Sequence, residues 1–165
     1  MTKSMLFVAF LITLLFAACL KEQEYPVEPH ITFRGYTKIV KESDTLLRLS
    51  LEFTDGDGDI GLYPSDTLPP YDYNFFIKLL KLTGTQLNPF LVNGQPVNYN
   101  GRIPVITPNT SNKAIKGMIE YTFDVINYSM LKVFLRNDTI AFDVYICDRA
   151  LNTSNTVQTS PFVVN

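Results

Sequence analysis

Thr45-Leu46-Leu47-Arg48-Leu49-Ser50-Leu51-Glu52-Phe53-Thr54 is the stretch that decides the fold. Leu47, Leu49, Leu51 and Phe53 alternate with Leu46, Arg48, Ser50 and Glu52. Successive side chains of a strand point to opposite faces, so this alternation predicts a half-buried β-strand. Ile115, Ile119, Tyr121, Phe123 and Val125 repeat the pattern, as do Ile140, Phe142, Val144 and Ile146. Tyr73–Leu82 is apolar throughout and predicts a strand covered on both faces. Weaker runs lie at Ile31–Tyr36 and Thr156–Val164, and Asn93-Gly94 predicts a type I′ hairpin turn. Met130, Leu131, Phe134 and Leu135 have helical spacing, which predicts a short helix or turn over Tyr128–Arg136. Short strands separated by turn signals predict an all-β domain, a single immunoglobulin-like antiparallel β-sandwich over residues 30–165.

Composition narrows the function classes. The chain has 165 residues, 46% hydrophobic, 18% charged, with a formal net charge of −2. That apolar share suits a packed domain rather than a disordered chain. The near-neutral, slightly acidic balance offers no electrostatic footprint for nucleic acid.

Residues 1–18 read as a signal peptide. Lys3 supplies the positive start, Met5–Phe16 the apolar stretch, and Ala17-Ala18 the small residues before Cys19. The apolar stretch falls short of the ~18 residues that span a bilayer. Ala17-Ala18-Cys19 resembles a bacterial lipobox, which implies lipidation of Cys19 and a membrane partner through that lipid anchor. The alternatives are an ordinary signal peptide or an uncleaved anchor. Loss of Lys3 takes the formal charge to −3. With Cys19 lipidated, Cys147 has no intramolecular disulfide partner and reads as a small buried or half-buried residue. Residues 19–29 form the tether. Lys21-Glu22-Gln23-Glu24 resembles the surface-display signal of Bacteroidota lipoproteins, or is a solvated spacer. Tyr25-Pro26-Val27-Glu28-Pro29 predicts a stiff extended segment.

Asp55-Gly56-Asp57-Gly58-Asp59-Ile60-Gly61 carries the strongest chemistry. Three carboxylates at alternate positions repel one another unless solvent, turn hydrogen bonds or a cation compensates. Calcium, a hard cation with six to eight oxygen ligands, is the cofactor this pattern suggests. An EF-hand does not fit, because Ile60 stands where that loop needs glycine, and Asp66 replaces the long bidentate glutamate. A sandwich geometry fits better: the acidic loop follows the second strand, and Asp148–Asn152 follows the strand over Thr139–Cys147. Both loops then lie at one end, where Asp148 and the Asn152 amide oxygen join Asp55, Asp57 and Asp59 around one ion. The alternative is Asx-turns and solvated carboxylates.

Catalytic arrangements find little material. His30 is the single histidine, and no nucleophile motif accompanies it. Zinc would have to draw on His30 and Cys147 alone. Tyr71 and Tyr73, beside Pro69-Pro70, suggest an aromatic binding platform for a protein or glycan partner, or otherwise a capped sheet edge and the start of a core strand.

Phe53-Thr54-Asp55-Gly56-Asp57-Gly58-Asp59-Ile60-Gly61-Leu62, Gly101-Arg102-Ile103-Pro104 and Asp148-Arg149-Ala150-Leu151-Asn152-Thr153-Ser154-Asn155 together resemble a set of uncharacterised Bacteroidota lipoproteins. The resemblance implies an exported, lipid-anchored domain at the outer membrane, surface-exposed or periplasmic, with no assigned activity. The expected function is a non-catalytic immunoglobulin-like structural or binding module, calcium-stabilised at one loop end. The alternative is an accessory subunit that docks on a larger outer-membrane uptake or export complex.

Overall fold

The computed structural model describes residues 24–40, 45–106 and 114–165. Cys19, expected to be lipidated, and the signal peptide expected over residues 1–18 lie outside the described residues. The architecture is all-β, with antiparallel sheets curled around one core. Strands β1 (His30–Val40), β2 (Thr45–Asp55) and β7 (Ile115–Phe123) form a three-stranded sheet in the order β1-β2-β7. A second sheet runs β10-β8-β3-β4, from β3 (Phe75–Thr83), β4 (Gln86–Pro89), β8 (Thr139–Ile146) and β10 (Phe162–Val163), with β9 (Val157–Gln158) also paired to β8. A small hairpin, β5 (Leu91–Val92) and β6 (Gln95–Pro96), turns at Asn93 (φ 52°) and Gly94 (φ 78°), as the dipeptide predicts.

The alternation that predicts β2 also orients it. Leu47, Leu49, Leu51 and Phe53 are buried, and they face Ile77, Leu79, Phe142, Val144 and Ile146 of the second sheet in one cluster. At its centre Phe142 stacks on Phe123 with centroids 5.0 Å apart, while Tyr36, Tyr99 and Phe162 approach it edge-on or tilted. On the outer face Glu52 receives Arg34 and Lys116, each at 2.8 Å, the polar half of the same period.

Three elements depart from the sequence expectation. Strand β3 begins at Phe75 rather than Tyr73 and is covered along its length on one face only: Phe75, Ile77 and Leu79 are buried, whereas Lys78 and Leu82 on the opposite face are exposed. Helix α1 spans Val125–Phe134, three residues ahead of the expected start, because Val125 continues the apolar alternation of β7 and reads as strand. Asp124 stands at its N-cap position, with its carbonyl accepting the Tyr128 N–H at 2.9 Å. Tyr128, Leu131 and Leu135 face the core, whereas Met130, Val133 and Phe134 are exposed on the far side. The run at Thr156–Val164 is two short strands rather than one. Between them the Thr159 hydroxyl takes the Phe142 N–H at 2.8 Å, and Pro161 has no N–H to continue a ladder.

Removing the Phe142 ring leaves its four aromatic neighbours, Tyr36, Tyr99, Phe123 and Phe162, facing a void. Phe142→Ala is expected to cost about 3–5 kcal/mol in chemical denaturation, with the urea slope unchanged.

Candidate functional site

The inward phase of β2 does not stop at Phe53. Its next member is Asp55, fully buried at 0% exposure. Strand β8 behaves alike: Ile140, Phe142, Val144 and Ile146 face inward, and the next position in phase is Asp148, also 0% exposed. Each sheet therefore drives an aspartate into the same end of the core. Between these two, the acidic loop adds Asp57 and Asp59, both half-buried.

Asp55, Asp57 and Asp59 each offer a carboxylate oxygen, and these oxygens lie within 4.8 Å of one another. Asp55 Oδ2 accepts the Ile60 N–H at 2.9 Å, and Asp59 Oδ2 accepts the Ala150 N–H at 3.0 Å. Oδ1 of Asp55, Asp57 and Asp59 is buried and accepts no hydrogen bond from the described residues. A buried carboxylate oxygen without a donor is costly, and three together are the arrangement a cation relieves. The cluster could coordinate a metal ion. Burial pushes the Asp55 carboxyl up to about 6; the Ile60 N–H opposes this, and Asp57 and Asp59 add to it. Asp59 is raised by burial, then by Asp148 and Asp57. Asp148 is raised by burial, against the two bonds it accepts from Asn152.

The loop after β8 meets the acidic loop directly. Asp148 accepts the Asn152 N–H at 2.7 Å and the Asn152 side-chain Nδ2 at 2.9 Å. Asn152 thus turns its amide nitrogen toward the aspartate and fixes it in place. Arg149 donates to the Gly61 carbonyl at 2.9 Å and lies over the Tyr63 ring at 5.3 Å. Its guanidinium partly offsets the carboxylate charge, and it lowers Asp59. Asp66 stays apart, with its carboxylate on the Tyr63 N–H at 2.8 Å.

The Gly101-Arg102-Ile103-Pro104 segment completes the framework, a role its composition does not announce. Leu62 N–H donates to the Ile103 carbonyl at 2.9 Å, and Leu62 bridges Pro104 in parallel. Gly61 has φ +103°, and a Cβ there would collide with the Pro104 carbonyl, so glycine alone fits. Buried Asn74 pairs with Ile103 as a strand would: its Oδ1 takes the N–H at 2.7 Å and its Nδ2 gives to the carbonyl at 3.3 Å. Arg102 holds the carbonyls of Tyr63, Tyr71 and Asp72 at 2.8–3.0 Å. No local signal marks Asn74 or Arg102, because their partners lie ~30 residues away.

Tyr71 and Tyr73 open onto different depressions. Tyr71 lines one of ≈ 260 Å³ with Tyr63, Asp66 and Arg149. Tyr73 lines another of ≈ 490 Å³ with Tyr99, Asn98, Asn100 and Tyr121. Cys147 is half-buried, and burial raises its thiol above the ordinary range. Comparison with protein-family models, with curated proteins and with solved structures found no match.

The raised Asp55 has a signed consequence. Its native pKa lies above the unfolded value, so the native state binds the extra proton, and stability rises as pH falls from about 7 toward 5. With chelator present, melting at pH 5 is expected to exceed that at pH 7.5 by ~3 °C, corresponding to about 1 kcal/mol. Asp55→Asn is expected to flatten that pH dependence, as measured by calorimetry across the same range.

Proposed function

We propose that the chain is a cell-envelope lipoprotein, processed before a lipidated Cys19, whose domain is a non-catalytic immunoglobulin-like structural or binding module with calcium held at its acidic loop end. The observation that carries the proposal is the set of three buried, unpartnered Oδ1 atoms of Asp55, Asp57 and Asp59. The donors are all oxygen, which favours a hard cation. A glycine-punctuated, irregular loop suits calcium, which tolerates variable geometry, better than magnesium, which demands an octahedron. Asp148, fixed by Asn152, closes the same end and adds charge that a divalent ion neutralises.

Strand order supports the immunoglobulin-like reading. With β1, β2 and β7 as strands A, B and E, the partner sheet reads G-F-C with one further strand, β4, beside C. The non-catalytic reading draws on the two residues most often used in catalysis: His30 is exposed at the start of β1, and burial disfavours the Cys147 thiolate. One observation favours the second reading, docking on a larger outer-membrane complex: Met130, Val133 and Phe134 project from α1 at 50%, 73% and 68% exposure.

Thermal unfolding of the mature chain with calcium and then with chelator tests the cation. At a hundredfold excess over the dissociation constant, calcium adds about 2.7 kcal/mol, a rise in Tm of ~5–10 °C. The double replacement of Asp57 and Asp59 by Asn is expected to remove that rise without unfolding the domain. An unchanged Tm in the parent chain rejects the cation. The anchor is tested separately: Cys19→Ala is expected to move the protein from the membrane fraction to the soluble one, and intact mass of the parent chain should carry acyl groups.

A further inference from the structure

Gly56 is the first residue of the acidic loop, next to buried Asp55. A Cβ built on it would overlap the carbonyl oxygens of Tyr25 and Pro26, and would lie 2.6 Å from the Pro26 carbonyl carbon. The N-terminal segment, expected as a stiff extended spacer, is seated on the loop through backbone contact that only glycine permits. Tyr25 is half-buried, Pro29 is buried, and the Tyr25 hydroxyl is within electrostatic reach of Lys116 on β7. Beyond Pro29 the chain is pinned: the Asn155 side chain takes the Ile31 N–H at 2.8 Å and gives to the Ile31 carbonyl at 2.9 Å. Residues 25–29 thus run from the pinned start of β1 to the acidic loop.

We propose that cation binding at Asp55, Asp57 and Asp59 latches the segment Tyr25–Pro29 onto Gly56, so that the loop is a cation-dependent docking surface for the chain's own tether. The proposal rests on the cation reading above. Without an ion, repulsion among the carboxylates drives the loop open and withdraws Gly56 from the two carbonyls. Those carbonyl oxygens add negative partial charge to an already acidic loop, an arrangement that a divalent cation offsets. With the ion bound, the loop closes and the bare face of Gly56 is presented to the segment. The ion need not touch Tyr25 or Pro26; it acts through the position of the loop.

Amide hydrogen exchange on the mature chain, with calcium chloride and then with chelator, reads both partners at once. The expected result is about tenfold slower exchange at Tyr25, Val27 and Glu28 with calcium, together with slower exchange across residues 56–61. Protection of the loop alone overturns the latch and leaves the cation reading standing. Protection of the segment in both conditions also overturns it, because the segment is then docked without the ion. No change in either region, with an unchanged Tm, removes the cation reading and the latch with it. Gly56→Ala is expected to keep the calcium-induced rise in Tm while the segment exchanges as it does in chelator. The chain has no tryptophan, so Tyr25→Trp gives a single reporter in an otherwise unaltered loop. Calcium is expected to shift its emission to shorter wavelength, and an unchanged spectrum in a calcium-stabilised sample overturns the latch.

Discussion

The inward phase of two strands is the constraint on which this molecule depends. Side chains alternate along β2 from Leu47 and along β8 from Phe142, and the buried halves of both meet in one core through Leu49, Leu51, Phe142 and Val144. A shift of either strand by one residue would turn its whole apolar row to solvent, so the register is held by the full burial of both rows. The same phase then carries past the last apolar residue and forces Asp55 and Asp148 to the interior. The acidic corner is thus a product of the packing. It is held there by the hydrophobic effect acting on residues further along the same strands, which is why a corner of raised carboxyl pKa values can persist in a folded domain.

Around that corner, side chains stand in for missing backbone pairing. Asn74 and Asn155 each match one residue's N–H and carbonyl, as a neighbouring strand would. Arg102 gathers three carbonyls of the long connection between β2 and β3, and Arg149 holds the end of the acidic loop. Buried or clustered carbonyls need donors. Supplying them from fixed side chains lets an irregular loop keep one shape without strands of its own. The three separated segments that stand out in the sequence are joined here into one framework: Asp55–Leu62 bonds directly to Gly101–Pro104 on one side and to Asp148–Asn155 on the other.

Strands β2, β7 and β8 were legible because burial on one face leaves a period-two record, β3 only as a continuous apolar run, and the Asn93-Gly94 turn because its φ values require those residues. Chain order also placed the acidic loop and Asp148–Asn152 at one end. Burial of Asp55 and Asp148 was present in the same phase, yet a carboxylate lowers local hydropathy, so expected strands end at Thr54 and Cys147, short of them or beside them. The helix start was obscured by Val125, which satisfies both periods. Asn74 left no trace, and Arg102 and Asn155 stood out only as members of their segments with no role attached, since their partners are backbone atoms distant in sequence, and backbone has no identity to read. The seating of Tyr25 and Pro26 on Gly56 was hidden for the same reason, behind a composition that describes a spacer.

The direction of β1 sets a molecular polarity. His30 begins the 11-residue strand beside the acidic corner, and Val40 ends it beside the start of β2, the end from which α1 departs. At ~3.3 Å per residue this is a span of about 35 Å. The entry of the described chain into β1 and the exposed Met130, Val133 and Phe134 therefore lie at opposite ends of the β1-β2-β7 sheet. The chain thus enters the domain at the end where the two strand phases bury carboxylates, and its exposed apolar helix face stands a full strand length away.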